Sequence, residues 1–270
     1  MMQLRAGVIL WIMVSASAHA CDKAAFGIAI DPGHTPNNPG VLSARGTPEW
    51  RFNQNLASLL ASELKATGFS SVFLTNEDDP ELSLAERADR ANQRHAKLFV
   101  SIHHDSVQTR YLSEWKHQGR SLSYSDVFNG YSLFISGRNG DPEGSFAFAR
   151  QVGTEFLRSC LVPTLHHAEP IPGEGRDLVD KQRGIYRFDD LVVLRSTRMP
   201  AVLIEAGLIV NRTEEVLLRN PAYQKLLAVS IARAIRRFCE NTDGNMTGPE
   251  GQWLEGSGTG GSYSCPQSQR

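Results

Sequence analysis

The segment 97–105 constrains the fold of this chain most strongly. It is a nearly apolar run of β-branched and aromatic residues that passes directly into His103. Such a run without polar alternation is typical of a strand buried on both faces of a parallel sheet. The segment 27–34 has the same form and ends, after a Pro-Gly pair, at His34. Because ligands bind beyond the carboxyl ends of strands in open α/β sheets, the two histidines are predicted to be ligands of one metal.

The rest of the sequence between residues 26 and 240 alternates between predicted strands and predicted helices. The further predicted strands are 70–75, 130–136, 191–194 and 201–205, and the predicted helices are 47–67, 83–92, 142–159 and 221–239. The segment 106–128 is predicted to be irregular, and a loop of some two dozen residues follows residue 159. This alternation predicts one α/β domain.

The two ends of the chain differ in character from this domain. Residues 1–20 combine Arg5, an apolar stretch and a small-x-small cleavage pattern ending at Ala20, which predicts a signal peptide and an exported protein. Residues 21–240 are then the folded domain, and the Gly/Ser-rich residues 241–270 are a predicted disordered tail. No stretch reaches the about 20 apolar residues that a membrane span needs. A formal net charge of −1 also argues against a nucleic-acid binder.

The four cysteines are expected to form two disulfides, because an exported protein meets an oxidising environment. Cys160 and Cys239 both end predicted helices, and chain termini often lie close together. We therefore predict pairs 160–239 and 21–265. Lipidation of Cys21 is an alternative for that residue, although Ala18 stands where a lipoprotein signal normally has a branched apolar residue.

Two carboxylates accompany the two histidines. Glu49 opens the first predicted helix, and Glu205 ends the apolar strand 201–205. Zinc hydrolases use three His or carboxylate ligands and leave one position for water, and a further carboxylate must carry the proton. A carboxylate at the end of so apolar a strand is costly to bury without such a task. The alternative is that Glu49 is a solvated helix-start acid and that the histidines are hydrogen-bonded loop residues.

The long loop after residue 159 contains a second group of metal-binding residue types. His166, His167 and Glu169 lie within four consecutive positions. They could form a second metal site, but ordinary surface loop residues are the favoured interpretation.

Five blocks in order carry a resemblance to a known family. They are Asp31-Pro32-Gly33-His34, Glu49 with Asn53, the segment 82–92 with Arg87, Ser101-Ile102-His103, and the segment 200–205 with Asn211. Over residues 26–240 the chain resembles the zinc-dependent N-acetylmuramoyl-L-alanine amidases of bacterial cell-wall turnover, the amidase 3 family. The resemblance implies a mainly parallel twisted sheet flanked by helices on both faces.

The same resemblance implies roles for four residues. His34, Glu49 and His103 would bind Zn²⁺, and Glu205 would be the catalytic glutamate. His103 is preferred to His104 because adjacent strand residues point to opposite faces. The implied reaction is hydrolysis of the amide that joins the lactyl group of N-acetylmuramic acid to L-alanine of the stem peptide.

The resemblance also implies the surroundings in which the protein works. The implied partners are peptidoglycan, its muropeptides and an activator protein, and a monomer in the periplasm or at the cell wall is expected. Two alternatives stay open: another exported zinc peptidase acting on stem peptides, and a non-catalytic peptidoglycan-binding protein on the same fold.

Overall fold

The computed structural model describes residues 21–79, 81–173 and 175–242. The predicted signal peptide and nearly all of the predicted tail therefore lie outside the described residues. The strands are β1 (Ile28–Pro32), β2 (Val72–Leu74), β3 (Leu98–Asp105), β4 (Ser113–His117), β5 (Arg120–Tyr124), β6 (Ser132–Ile135), β7 (Asp177–Asp180), β8 (Ile185–Arg187) and β9 (Ala201–Leu208). The helices are α1 (Glu49–Ala66), α2 (Leu84–Gln93), α3 (Pro142–Arg158), α4 (Val192–Arg195), α5 (Glu214–Leu218) and α6 (Pro221–Thr242).

Seven strands form one central sheet in the order β2-β1-β3-β9-β6-β8-β7. Four neighbouring pairs are parallel, and the pairs β9–β6 and β8–β7 are antiparallel. Helices α1, α3 and α6 share a hydrophobic core on one face, and α2 and α4 pack on the other. The predicted mainly parallel sheet with helices on both faces is confirmed. In the described part of the chain, every helix is too short or too polar to cross a bilayer.

Side-chain alternation on β3 decides which residues reach the same face of the sheet. Val100 packs into the core under α1, α3 and α6, whereas Phe99 packs on the face of α2 and α4. His103 therefore belongs to the face of Phe99, since successive strand residues alternate. β9 runs parallel to β3 with Glu205 directly opposite His103. The strand register thus brings a histidine and a glutamate together at the carboxyl edge of the sheet.

Two predicted local structures are wrong. The segment 191–194 is not a strand; it forms the short helix α4, because a short apolar run does not distinguish a strand from a buried helix turn. The segment 106–128 is not irregular throughout, because β4 and β5 form an antiparallel hairpin there. Its two turn residues, Gln118 and Gly119, both have positive φ, as a tight type I′ turn requires. Gln-Gly is a weaker hairpin signal than the usual Asn-Gly pair.

The predicted disulfide pairs are also wrong. Cys21 is bonded to Cys239 near the end of α6, with 5.4 Å between the two Cα atoms. Cys239 is fully buried, and Cys21 packs against the main core. The start of the described chain is thereby fastened to its last helix. A Cys21 sulfur held in this bond is not available for a thioether-linked lipid.

We expect loss of this disulfide to destabilise the fold. In a variant with Cys21→Ser and Cys239→Ser, the free energy of unfolding should be lower than in the unaltered protein by about 2–5 kcal/mol. The reason is that the bond closes most of the chain into a loop. Urea unfolding measures this difference, and peptide mapping without reductant should recover a peptide pair that contains Cys21 and Cys239. Equal unfolding free energies, or a different partner for Cys21, would contradict the assignment.

Glu214 of α5 joins the end of β9 to the start of β6. Its carboxyl group accepts hydrogen bonds from the backbone N–H of Leu208, at 3.0 Å, and of Gly130, at 2.9 Å. Burial raises the pKa of Glu214 to about 8, although these hydrogen bonds act in the opposite direction. The folded protein therefore holds a proton that the unfolded chain releases above about pH 4.3.

Stability should consequently fall as the pH rises from about 4.3 to 8 through this group. Urea unfolding at pH 5 and at pH 8 measures the effect in the unaltered protein and in Glu214→Gln, whose amide does not titrate. Between pH 5 and pH 8 we expect the free energy of unfolding to fall in the unaltered protein by on the order of a few kcal/mol more than in the variant. Parallel changes in the two proteins would show that Glu214 is ionised in the folded state.

Candidate active site

The loop that carries His34 is held by a buried arginine. Arg87 donates to Asp31 Oδ1 at 2.9 Å and to the backbone carbonyl of His34 at 2.8 Å, and it also contacts the carbonyl of Pro32. Arg87 and Asp31 are both almost fully buried. His34 has φ of +65°, a left-handed conformation that is uncommon outside glycine. Arg87 therefore stabilises the strained backbone conformation of His34, just beyond the end of β1.

His34, Glu49 and His103 come together around the first residue of α1. Glu49 Oε2 lies 3.0 Å from His34 Nε2, and Glu49 Oε1 lies 3.1 Å from His103 Nδ1. One ligand atom from each residue lies within 4.8 Å of the others. Ligand atoms at about 2.0–2.1 Å from one tetrahedral metal are separated by about 3.3 Å. The spacing and the donor atoms, two imidazole nitrogens and a carboxylate oxygen, fit a metal ion of the zinc type.

The electrostatics of this group keep its carboxylate ionised. Burial acts to raise the pKa of Glu49, but hydrogen bonds to His103 and His34 outweigh it and lower the pKa well below its usual range. Burial acts to lower the pKa of His34, but the hydrogen bond to Glu49, the charge of Glu49 and a backbone hydrogen bond with Asn38 together raise it. Glu49 is therefore an anion at neutral pH, as a metal ligand must be.

Two glycines make room for this arrangement. A Cβ atom on Gly33 would overlap the ring of His103. Gly40 has φ of +71°, and a Cβ atom there would overlap the carboxylate of Glu49. Both positions need glycine because the backbone of the loop passes directly against the ligand side chains.

Asn53 supports the carboxylate from the next turn of α1. Its Nδ2 donates to Glu49 Oε1 at 3.0 Å and to the carbonyl of Gly33 at 3.0 Å. Its Oδ1 lies 2.8 Å from Nδ1 of His104. The sequence alone assigns no separate role to Asn53, although its position four residues after Glu49 places both side chains on one helix face.

His104 takes a different position from its neighbour His103. It is buried against Phe52, with ring centroids 5.4 Å apart, on the face of α1. Burial lowers the pKa of His104 to about 4, so its ring is neutral at pH 7. The structure thus groups His103 with the other candidate ligands, whereas His104 packs against Phe52 and contacts Asn53.

Glu205 lies beside this group with an unsatisfied oxygen. Its Oε2 is buried and makes no hydrogen bond with any described residue, and the same holds for Oγ of Ser132, its cross-strand neighbour on β6. Burial, followed by the charges of Asp105 and Glu49, raises the pKa of Glu205 well above its usual value. A buried carboxyl oxygen without a partner is costly, which is expected where water or substrate completes the site.

His166, His167 and Glu169 do not form one group in the structure, and the expectation of ordinary surface residues is wrong for His166, which is buried. Glu169 accepts a hydrogen bond from the Tyr111 hydroxyl at 2.6 Å and lies 3.3 Å from Arg110. His166 and His167 instead meet Asp105 at the end of β3. Sequence spacing did not reveal this grouping, because Asp105 is some 60 residues away from the two histidines.

Comparison with known proteins identifies the family. The family model described as N-acetylmuramoyl-L-alanine amidase matches residues 28–237. The amidase AmiC of Neisseria meningitidis is 27% identical over 222 residues, which cover 78% of this chain and 52% of that relative. The chain thus spans about half the length of this relative.

Solved structures give the same result. The catalytic domain of the amidase CwlV from Bacillus (Paenibacillus) polymyxa var. colistinus matches with a TM-score of 0.59 and 29% identity, covering 78% of this chain and 96% of that domain. The CwlD amidase of Clostridioides difficile, solved in complex with the GerS lipoprotein, shares the fold with a TM-score of 0.55 and 23% identity, covering 78% of this chain and 97% of that one. Because the family model matches well over half of its residues, this chain belongs to the amidase 3 family of enzymes, the N-acetylmuramoyl-L-alanine amidases.

Proposed function

We propose that this protein is a zinc-dependent amidase that cleaves the bond between the lactyl group of N-acetylmuramic acid and L-alanine of the peptidoglycan stem peptide. The observation that carries the proposal is the meeting of two histidines, a carboxylate and a partnerless Glu205 oxygen at one sheet edge. Family membership supports the choice of substrate.

In this proposal His34, Glu49 and His103 hold the metal. A bound zinc ion supplies Lewis acidity, which polarises a carbonyl and makes water acidic enough to react near neutral pH. Arg87 and Asn53 act through these residues, since Arg87 fixes the backbone of His34 and Asn53 orients the Glu49 carboxylate. The set of ligands is then preorganised before substrate arrives.

Glu205 moves the proton. Its carboxylate accepts a proton from the attacking water as the water oxygen adds to the carbonyl carbon. It then returns this proton to the nitrogen of L-alanine while the carbon–nitrogen bond breaks, so that a lactyl carboxylate and a free amine result. The raised pKa of Glu205 brings it closer to the pH at which both transfers are efficient.

The proposed place of action is outside the cytoplasm, in the periplasm or at the cell wall. The Cys21–Cys239 disulfide supports this location, because such bonds persist in oxidising compartments. The predicted signal peptide, residues 1–20, agrees with it. Cleavage of the chain between Ala20 and Cys21, read by sequencing the protein purified from its cell envelope fraction, tests this part of the proposal.

A protein activator is a further part of the proposal. The CwlD amidase, which shares this fold, was solved with the GerS lipoprotein bound. Such a partner would raise a basal turnover of muropeptides that the purified protein has by itself. A rate that is no higher in envelope extract than with the purified protein would contradict this role.

Mass analysis of digested muropeptides tests the reaction itself. We expect purified protein to release intact stem peptides with a free L-alanine amine and to leave sugars that end in a lactyl carboxyl group. Shortened stems that remain attached to sugar would identify a peptidase instead. Binding of peptidoglycan without any product would identify a non-catalytic binder.

A further inference from the structure

We propose that Asp105, His166 and His167 form a second site for a divalent cation of the zinc class, distinct from His34, Glu49 and His103. The three residues come from two separate parts of the chain. Asp105 ends β3, and the two histidines lie in the 3₁₀ turn His166–Ala168 between α3 and β7.

Both histidines direct the same ring nitrogen at one carboxylate oxygen. Nε2 of His167 lies 2.7 Å from Oδ2 of Asp105, and Nε2 of His166 lies 3.5 Å from the same oxygen. One ligand atom from each of the three lies within 4.8 Å of the others. Ligand atoms on one tetrahedral zinc are about 3.3 Å apart, so these side chains need little movement to share a metal.

Hydrogen bonding among the three side chains does not account for the position of His166. It is 1% exposed, and its Nε2 makes no hydrogen bond with any described residue. The other ring nitrogen, Nδ1, lies 2.9 Å from the Thr164 hydroxyl, which fixes the ring with Nε2 facing Asp105. A hydrogen bond at one nitrogen that orients the other toward a metal is the usual arrangement of histidine ligands.

The surroundings favour neutral imidazoles and an ordered carboxylate. Phe128 stands 5.3 Å from the His166 ring and Phe134 stands 5.0 Å from the His167 ring, measured between centroids. Oδ1 of Asp105 accepts from the backbone N–H of Ser106 at 2.8 Å, which leaves Oδ2 for the cation.

The location gives the second cation two effects. It would fasten the loop between α3 and β7 to the end of β3, two residues beyond His103. It would also offset the negative charge of Asp105, which lies on the strand that neighbours the strand of Glu205. The site is thus placed to influence the proposed amidase chemistry, although cation binding there does not depend on that chemistry.

Zinc content of the full chain tests this proposal. The protein is loaded in zinc-buffered solution, desalted and measured by mass spectrometry of the metal, together with four variants. We expect two zinc ions per chain in the unaltered protein, one in His167→Gln, one in His34→Asn and none in the double variant. His95→Asn is the control, since His95 is an exposed histidine with positive φ outside both groups, and it should retain two.

One zinc ion in both the unaltered protein and His167→Gln would overturn the proposal. If His167→Gln does not give the circular dichroism spectrum of the folded protein, the zinc content of Asp105→Asn is measured instead. This substitution keeps the side-chain volume and should also leave one zinc ion per chain. An active amidase that binds a single zinc would retain the proposed function and reject the second site. An unaltered protein that binds the second zinc ion, which His167→Gln loses, but cleaves no muropeptide would retain the second site and reject the proposed function.

Discussion

Replacing Glu205 by Gln should lower muropeptide turnover by about 10²–10⁴-fold and leave the fold and the zinc content unchanged. The amide has nearly the volume of the carboxyl group but cannot accept and return a proton. The three candidate ligands should remain in place, because Oε2 of Glu205 makes no hydrogen bond with any described residue. Steady-state turnover, metal content and circular dichroism of the same preparation measure the three expectations.

Glu143→Gln is the matched control, since Glu143 is exposed in the first turn of α3. This variant should cleave muropeptides at the rate of the unaltered protein. Loss of one zinc ion from Glu205→Gln would show that Glu205 is a ligand and would make Glu49 the better candidate for the base. Full activity in Glu205→Gln would reject the proposed mechanism.

Replacing His34 by Asn should remove one zinc ion per chain and reduce muropeptide cleavage to background. His34 supplies one of three ligand atoms, and the shorter asparagine side chain cannot reach the position of Nε2 beside Glu49. The fold should persist, because asparagine tolerates the left-handed backbone that His34 adopts, with φ of +65°.

His95→Asn is a close control for this variant, because it makes the same substitution at another left-handed position, with φ of +53°. It should keep both zinc content and turnover. Undiminished zinc and turnover in His34→Asn would remove His34 from the metal site.

The two strands that organise the site were predictable because burial on both faces leaves a clear pattern. β1 is an apolar run that ends two residues before His34, and β3 is an apolar run that continues through His103. The parallel pairing of these strands brings the two rings to a centroid distance of 5.1 Å. Glu49 was predictable as the start of a helix, which α1 confirms. These features depend on neighbouring residues in sequence, where periodicity is informative.

Features that depend on distant parts of the chain were not predictable in the same way. The bond between Cys21 and Cys239 follows from the first described residues packing on α6, which spacing does not reveal. The grouping of Asp105 with His166 and His167 depends on the path of a long loop. Four cysteines permit three pairings, and only the fold selects one.

Short segments were mispredicted for a different reason. The four residues of α4 and the hairpin of β4 and β5 each contain too few positions for periodicity to separate helix, strand and loop. Tertiary packing decides these cases, since Val193 and Leu194 of α4 fill the core on the face of α2.

Removal and return of zinc, followed by mass analysis of muropeptides, tests the proposed function most directly. Protein stripped with chelator should contain no zinc and leave muropeptides intact, and addition of zinc should restore both the metal and the release of intact stem peptides. Release of stem peptides at the full rate by protein that contains no stoichiometric metal would contradict a zinc-dependent amidase.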